Sequence, residues 1–289
     1  YSPMRFFIKI MILPLLTVAL SGCVTALPER PFHAEVVANR PDTLKAGYRA
    51  INSGGARQAV KTRAELGIEA FRQGYFDEAA DLLDRAILDV ETIWGHDRDS
   101  QKARSIWYAE GQKTFKGEPH ERAMIYYYRG LVFLLTGDPE NARACFRAAQ
   151  YQDAFGQVDN PATSIRSDMA TFYYLEAWAS MMMGDRQSAV LPIRQLQQLR
   201  PDFMPPSPDK TVLVLVEVGH GPIKQAGGEN GTVLTYAPGN TPSIVAMSVS
   251  DTYLQQGDNL YQQADVHSRR QVEALLRKKA SYKQGWQTT

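Results

Sequence analysis

The sequence predicts a mainly α fold, in which an array of helical hairpins precedes a small β-layer and a C-terminal helix. Three segments carry apolar residues three and four positions apart, and each is interrupted by a turn that contains glycine. These segments are residues 60–91, 121–152 and 167–200. After Pro201 the pattern changes to short runs of β-branched residues. We therefore expect a helical domain at 58–204 and a mixed region at 205–289.

The three hairpins align with one another. A small residue in each first helix sets the register: Gly67, Gly130 and Ala177. Seven positions later each hairpin has a turn glycine: Gly74, Gly137 and Gly184. Each second helix then has a small and a bulky residue at matching positions: Ala79 and Leu83, Ala142 and Phe146, Ala189 and Ile193. The pattern resembles the tetratricopeptide repeat (TPR), whose two helices cross closely at small residues. The resemblance implies a TPR-like helical repeat array.

The spacing between the hairpins departs from that of tandem repeats. Gly67 and Gly130 are 63 residues apart, and Gly130 and Ala177 are 47 apart, where about 34 is usual for a TPR. We therefore expect an insertion at 92–120, with a short helix around Trp107, and a loop at 152–166.

The C-terminal region contains three runs that favour strands. Thr211–Val218 is rich in Val and Leu, which predicts a buried strand. Shorter strands are predicted at Thr232–Tyr236 and Ser243–Ser250. From Thr252 to about Lys283 the helical period returns, and this segment is the predicted C-terminal helix.

The N-terminal region has the layout of a secretory signal. The basic Arg5 precedes the apolar run Phe6–Leu20, whose 15 residues are fewer than the roughly 20 that a membrane span needs. The run ends in Leu20-Ser21-Gly22-Cys23, which resembles the lipobox of bacterial lipoproteins. The resemblance implies that residues 1–22 are a cleaved signal peptide, that Cys23 is acylated and that 23–57 link the lipid anchor to the repeats. Val24, where lipoproteins retained in the inner membrane carry Asp, favours an outer-membrane protein that faces the periplasm.

Composition excludes several other classes of protein. Without residues 1–22, 30 basic residues face 31 acidic ones, so the net charge is −1 with neutral histidines. This balance gives no basic excess for nucleic acid, and no nucleic-acid partner is expected. If Cys23 carries lipid, Cys145 has no second cysteine to pair with, which excludes an internal disulfide and a cysteine metal cluster.

The resemblance to TPR proteins also predicts a binding surface. In that family the first helix of each pair lines a concave groove, and the corresponding positions here are apolar and aromatic. The Lys, Arg and Asn side chains that clamp a peptide carboxylate in TPR receptors are absent from these positions. We expect the C-terminal helix to cover this apolar surface, and a segment of a partner protein is the alternative. The residues predicted to bind a partner are Trp107, Tyr127, Tyr128, Tyr174 and Trp178.

Two charged residues occupy equivalent points in neighbouring hairpins. Arg129 and Glu176 each stand one position before the register residue, where the repeat usually has an apolar side chain. We expect them to form a partly buried structural ion pair that sets the registry of the two repeats.

The sequence offers little that points to catalysis. The five histidines show no metal-ligand spacing, so neither a metal nor another cofactor is expected. An acid and histidine site near Glu118, His120 and Glu217 is the basis of an alternative, an enzyme that acts on cell-wall material.

Three stretches resemble an uncharacterised family of bacterial TPR lipoproteins: Phe115–Arg122, Tyr126–Gly130 and Val214–Gly219. The resemblance implies a role in the cell envelope and no particular activity. We therefore expect a scaffold, anchored through lipid on Cys23, that mediates protein–protein interactions and catalyses no reaction. The expected partners are envelope proteins such as a peptidoglycan synthase or an outer-membrane assembly complex.

Overall fold

The computed structural model describes residues 34–93, 117–154, 167–219, 221–227, 233–237, 248–249, 252–253, 258–260, 262, 264–265 and 269. The described residues contain eight α-helices: α1 (Ala34–Ala38), α2 (Lys45–Ser53), α3 (Gly55–Arg72), α4 (Phe76–Ile93), α5 (Pro119–Leu135), α6 (Pro139–Ala154), α7 (Ala170–Met182) and α8 (Arg186–Leu199). The predicted mainly α fold is confirmed. The predicted helix around Trp107 and the predicted loop after Gln152 lie outside the described residues, apart from the ends of these two insertions.

The helices from α3 onwards pack in consecutive pairs, α3 with α4, α5 with α6 and α7 with α8. Each pair also packs on the next, because α4 contacts α5 and α6 contacts α7. One apolar core extends from α3 to α7 and includes Leu83, Phe146 and Leu175, all fully buried. A second, smaller cluster with Leu196 lies between α7 and α8. The array is therefore held together by apolar burial along its whole length.

Glycines allow two of the close helix crossings. A Cβ atom on Gly67 would lie 2.9 Å from Cγ of Leu83, and one on Gly130 would lie 2.6 Å from Cε1 of Phe146. These are the small and bulky positions that align in the sequence. The turn between the two helices of each pair passes through a glycine with φ near +80°, a conformation that other residues rarely adopt: Gly74, Gly137 and Gly184.

The predicted linker is shorter than expected, because residues 34–53 fold against the array. Leu44, in a 3-10 turn at Asp42–Leu44, and Tyr48 on α2 are buried in the same core as α3 and α4. The Arg40 guanidinium pairs with the Glu78 carboxylate at 2.8 Å, and the Tyr48 hydroxyl bonds to the same carboxylate. Pro41 and the pair Gly54-Gly55 favoured a linker here, so the helices of this segment were not predicted.

A small antiparallel hairpin packs at the beginning of α5. It is formed by β1 (Ile223–Gly227) and β2 (Val233–Ala237), and a shorter pair joins β3 (Ser248–Val249) to β4 (Thr252–Tyr253). The Lys224 ammonium of β1 lies 2.7 Å from the Glu121 carboxylate, and the ring of Tyr236 packs edge-on against His120. The predicted β-layer therefore exists as small two-stranded sheets, and β1 was not predicted.

The prediction of a buried strand at Thr211–Val218 was wrong. Seven of its eight residues are exposed, Leu213 alone being half-buried, and it joins neither of the described sheets. Leu213 packs on the helical core, so the segment lies across the helices as a single chain. We call residues 207–218 the strap.

The chain after β4 returns to the helices. Both carboxylate oxygens of Asp258 accept hydrogen bonds from the first backbone N–H groups of α7, at Ala170 (3.0 Å) and Thr171 (2.7 Å). Leu260 packs on the core, and Ala264 is fully buried. The predicted helix begins later than expected, because Thr252 and Tyr253 belong to β4, and most of it lies outside the described residues.

Candidate functional site

An apolar groove of about 890 Å³ lies beneath the strap. Its helical wall comes from the C-terminal ends of α3, α5 and α7: Phe71, Leu131, Leu134, Trp178, Met181 and Met182. The other wall is the strap itself, including Leu213 and Leu215. The groove arises because the first helices of the three pairs bring their apolar ends together at one edge of the array, and the strap closes only part of that edge.

The predicted partner-binding aromatic residues are mostly buried. Tyr127, Tyr128 and Trp178 are 5%, 4% and 7% exposed, so they form the structural wall rather than a free surface. Tyr174 is half-buried and packs edge-on against Phe203, with 5.8 Å between ring centroids. Trp107 lies outside the described residues. Of the four described residues in this set, Trp178 lines the groove, and partner binding by these residues stays a prediction.

The strap covers the site where the C-terminal helix was expected. Its anchor is Glu217, whose carboxylate accepts hydrogen bonds from the hydroxyls of Tyr128 (2.7 Å) and Tyr127 (3.3 Å). The Arg72 guanidinium reaches the same carboxylate at 3.4 Å. The described C-terminal residues instead contact the core through Leu260. Among the described residues the strap therefore provides an intramolecular cover, and most of the predicted C-terminal helix lies outside them.

Burial dominates the electrostatics around the anchor. Loss of water raises the pKa of both Tyr127 and Tyr128, and the nearby Glu217 carboxylate raises it further. Both hydroxyls therefore stay protonated and donate to Glu217. The anchor is thus a carboxylate held by two phenols and one guanidinium, an arrangement suited to holding a segment in place.

The predicted ion pair between Arg129 and Glu176 does not form. Arg129 bonds to Asp84 of α4 at 2.7 and 3.0 Å, whereas Glu176 accepts from Gln150 of α6 at 2.6 Å and pairs with Arg147 at 3.5 Å. The physical reason is the common register of the two hairpins. Equivalent positions face in the same direction along the array, so each side chain contacts the second helix of the preceding pair and not its counterpart.

The residues of the alternative enzyme site have separate structural roles. Glu118 and Glu121 form a reciprocal capping box at the beginning of α5, just before and after Pro119. His120 is buried against Tyr236, and Glu217 anchors the strap. The described part of the chain also contains no group of three or more acidic, histidine or cysteine side chains placed to hold a metal. Glu118 and His120 thus lie together at the beginning of α5, whereas Glu217 is engaged by Tyr127 and Tyr128 further along the same helix.

Cys145 is a free thiol, half-buried on α6. Burial raises the pKa of this thiol to about 11, with a smaller opposing effect from Arg129. Because the thiolate is the reactive form, the side chain acts as a small apolar residue at neutral pH.

Two features of the site were missed in the sequence. Arg72 and Leu135 each end a helix next to the strap. No local pattern marks them as neighbours of the strap, since Glu217 follows Arg72 by 145 positions. The run of Val and Leu in Thr211–Val218 was the available signal. It indicated an extended segment, but it also predicted a buried strand, which the segment is not.

No family model matches this sequence, and no curated protein shows significant similarity to it. Among the described helices, none combines the length and the apolar character needed to cross a membrane.

Proposed function

We propose that this protein is a lipid-anchored TPR scaffold that mediates protein–protein interactions at the bacterial cell envelope and carries out no catalysis. The observation that carries the proposal is the apolar groove at one edge of the array of stacked hairpins. The candidate catalytic residues have structural roles instead: Glu118 caps α5, His120 packs on Tyr236 and Glu217 anchors the strap. Stacked helix pairs present extended surfaces of this kind to partner proteins.

The TPR assignment is supported by three matching hairpins. The small residue of the first helix meets the bulky residue of the second in two of them, Gly67 with Leu83 and Gly130 with Phe146. In the third, Ala177 is fully buried at the same position. The equivalent contacts of Arg129 and Glu176 with the preceding helix also support repeats that stack in one direction.

The membrane assignment rests on Leu20-Ser21-Gly22-Cys23, which lies outside the described residues. Acylation of Cys23 would place the protein on the outer membrane, facing the periplasm. Its partners there would be envelope proteins, for example a peptidoglycan synthase or an outer-membrane assembly complex. The near-neutral charge argues against nucleic acid as a partner.

The membrane assignment is tested by metabolic labelling with a fatty acid and by membrane fractionation. The protein should incorporate label and sediment with the outer membrane, and Cys23→Ser should abolish both. Cys145→Ser is the matched control, since it removes the other cysteine and should change neither. A Cys23→Ser form that still sediments with the membrane, or that fully complements a deletion strain, contradicts the proposal.

The adaptor role is tested by crosslinking in intact cells. A residue on the rim of the groove, such as Leu135, is replaced by a photoreactive amino acid, and one on the far face of α4, such as Leu88, serves as the control. Both side chains are exposed. A specific envelope protein should be trapped from the rim position alone. Equal or absent crosslinking from the two positions counts against the groove as the interaction surface.

A further inference from the structure

The strap carries a row of exposed valines on the side away from the helices. Val214, Val216 and Val218 are 47%, 44% and 44% exposed. Between them, Leu213 and Leu215 line the groove and Glu217 is bound by the tyrosines. Alternation with period two is that of an extended chain, whose successive side chains point to opposite sides. Residues 213–218 therefore alternate as a strand does and have its β-branched composition, whereas Val212, 76% exposed, also borders the groove.

The backbone of this strand-like segment is unpaired within the described part of the chain. None of the backbone N–H or C=O groups of residues 211–218 bonds to a described backbone group. Proteins normally protect such an edge with Pro, with charged residues or with a covering element, since it is a template for another strand. Residues 211–216 contain neither Pro nor a charged residue.

The groove leaves room beside this edge. Its volume of about 890 Å³ falls in the range of sites that bury most of a ligand. Beyond the strap, the rim is formed by Leu135 and Met182, which are 59% and 50% exposed. Aliphatic side chains from an added strand would bury this rim and displace water from it.

The two ends of the groove carry side chains of opposite charge. Lys210 and Glu217 are the charged residues that line it, one near each end of the strap. Glu217 is engaged by Tyr127, Tyr128 and Arg72. Within the described part of the chain, no carboxylate lies within 4 Å of the Lys210 ammonium. Asp209, its exposed neighbour in the chain, accepts a hydrogen bond from Ser207. An incoming acidic group would therefore compete with Asp209 for the Lys210 ammonium.

We propose that the groove binds an extended segment of a partner protein, which adds to the strap as a β-strand, places aliphatic side chains at alternate positions and sets a carboxylate against Lys210. Strand addition of this kind obtains affinity from main-chain hydrogen bonds and specificity from the pockets beside them. The inference rests on the proposed function, because it names the class of partner that the scaffold receives.

The first test uses hydrogen–deuterium exchange on the full-length protein in nanodiscs. The probe is a synthetic peptide, acetyl-Val-Thr-Val-Thr-Val-Thr-Glu with a free C-terminus. The amides of residues 211–218 should exchange freely without the peptide and at least tenfold more slowly with saturating peptide. If these amides already exchange slowly in the peptide-free monomer, another segment of the same chain pairs with the strap, and the proposal is overturned. Sedimentation also tests for a dimer. If the protein dimerises and these amides exchange fast only after the dimer dissociates, the occupant is a second copy of the chain, and the proposal is overturned.

The second test separates main-chain pairing from simple apolar binding. Two control peptides have the same sequence, and each is N-methylated at alternate residues so that one edge loses its donors. One of them should bind at least tenfold more weakly than the parent peptide, while the other keeps most of its affinity. Equal affinity of all three peptides overturns the proposal, since side chains alone then account for binding.

The third test concerns the charged end. Lys210→Glu should weaken the acidic peptide about tenfold, and Lys210→Gln should weaken it less. Neither variant should alter the affinity for a peptide that ends in glutamine amide. Unchanged affinity of Lys210→Glu for the acidic peptide contradicts the orientation and the proposed chemistry of the partner.

These results can be told apart from a failure of the proposed function. If partners are crosslinked in the envelope from another face while the amides of the strap do not respond to peptide, the scaffold role stands and the strand addition fails. If the strap binds peptide while the protein neither carries lipid nor meets an envelope partner, the binding mode stands and the envelope role fails.

Discussion

The Arg129 guanidinium on α5 grips the Asp84 carboxylate on α4 with two hydrogen bonds, of 2.7 and 3.0 Å. The same guanidinium lies 3.6 Å from the centre of the Phe133 ring. The charged pair thus joins the first and second hairpins, while the stacking contact lies within α5 and orients the guanidinium. Arg129 therefore helps to set the registry of the first two hairpins through Asp84, and not that of the second and third through Glu176 as predicted.

Arg129→Ala should lower the free energy of unfolding by about 1–2 kcal/mol, because it removes a charge-assisted pair and the stacking on Phe133, while Asp84 remains partly solvated. Chemical denaturation measures the change. Arg85→Ala is the matched control, since Arg85 pairs with Asp81 on the exposed surface of α4 and should cost less than about 0.5 kcal/mol. Equal effects of the two substitutions would show that the pair does not stabilise the array.

Gly130→Ala should destabilise the protein by about 1–3 kcal/mol, because the new methyl group would meet the fully buried ring of Phe146. Phe146→Leu should relieve part of this cost, so the double variant should be more stable than the sum of the single effects predicts. Gly221→Ala is the control, since nothing lies within 4 Å of its Cβ position. Additive effects at Gly130 and Phe146 contradict the close crossing.

Glu217→Ala should loosen the strap without unfolding the array. The hydroxyls of Tyr127 and Tyr128 lose their acceptor, and trypsin should cleave after Lys210 several-fold faster than in the parent protein. The free energy of global unfolding should fall by no more than about 1 kcal/mol, because the anchor is partly exposed. Glu65→Ala, which removes an exposed carboxylate on α3, should leave cleavage unchanged. An unaltered cleavage rate in Glu217→Ala would mean that Leu213 alone holds the strap.

Glu176 should make the protein less stable as pH rises, which is opposite to the effect of a carboxylate held in a salt bridge. Burial raises the pKa of this carboxyl above its ordinary 4.5, against the opposing effects of Gln150, Arg147 and Arg143. The folded state then binds the proton more tightly than the unfolded state. The contribution of Glu176 to stability is therefore present below pH 4.5 and falls as pH rises through the raised value.

Glu176→Gln should remove this fall. The difference in unfolding free energy between the variant and the parent should shift in favour of the variant as pH rises from 4.5 to 7. Urea denaturation at several pH values measures it, and subtraction removes the contributions of all other groups. A difference that is independent of pH contradicts the raised pKa.

The Cys145 thiol should react slowly. Its pKa of about 11, compared with 9.0 for a free thiol, leaves about 100-fold less thiolate at pH 7.5. In a Cys23→Ser form, where Cys145 is the remaining cysteine, alkylation by iodoacetamide should be slower than in the unfolded chain by about this factor. The folded rate should continue to rise up to about pH 11. A rate that levels off near pH 9 would show that burial does not control the thiol.

Local pattern was enough to predict the hairpins. The period of the apolar residues located α3 to α8, and the close crossings at Gly67 and Gly130 followed from aligning small with bulky positions. These features are predictable because a helix satisfies its own backbone hydrogen bonds. Its boundaries and its apolar face therefore depend on neighbouring residues in the sequence.

The strap and β1 could not be predicted in the same way. A strand depends on a partner that is distant in sequence, so the pattern of Thr211–Val218 specifies an extended chain but not what lies beside it. β1 contains Lys224, Gln225 and Gly227, which favour no strand by themselves, and it forms because β2 pairs with it. The groove follows from this non-local placement of the strap across α3, α5 and α7, and this is why it escaped prediction.

The two hydrogen bonds that Asp258 accepts from the beginning of α7 have a consequence for the order of events during synthesis. Met169, the residue before α7, provides no side-chain hydrogen bond to the beginning of the helix. The acceptor is instead the carboxylate of Asp258, which follows Ala170 by 88 residues. A ribosome that has released all of α7 has not yet made Asp258. The third hairpin must therefore wait with its N-terminal amides bound to water until Asp258 is available to accept them.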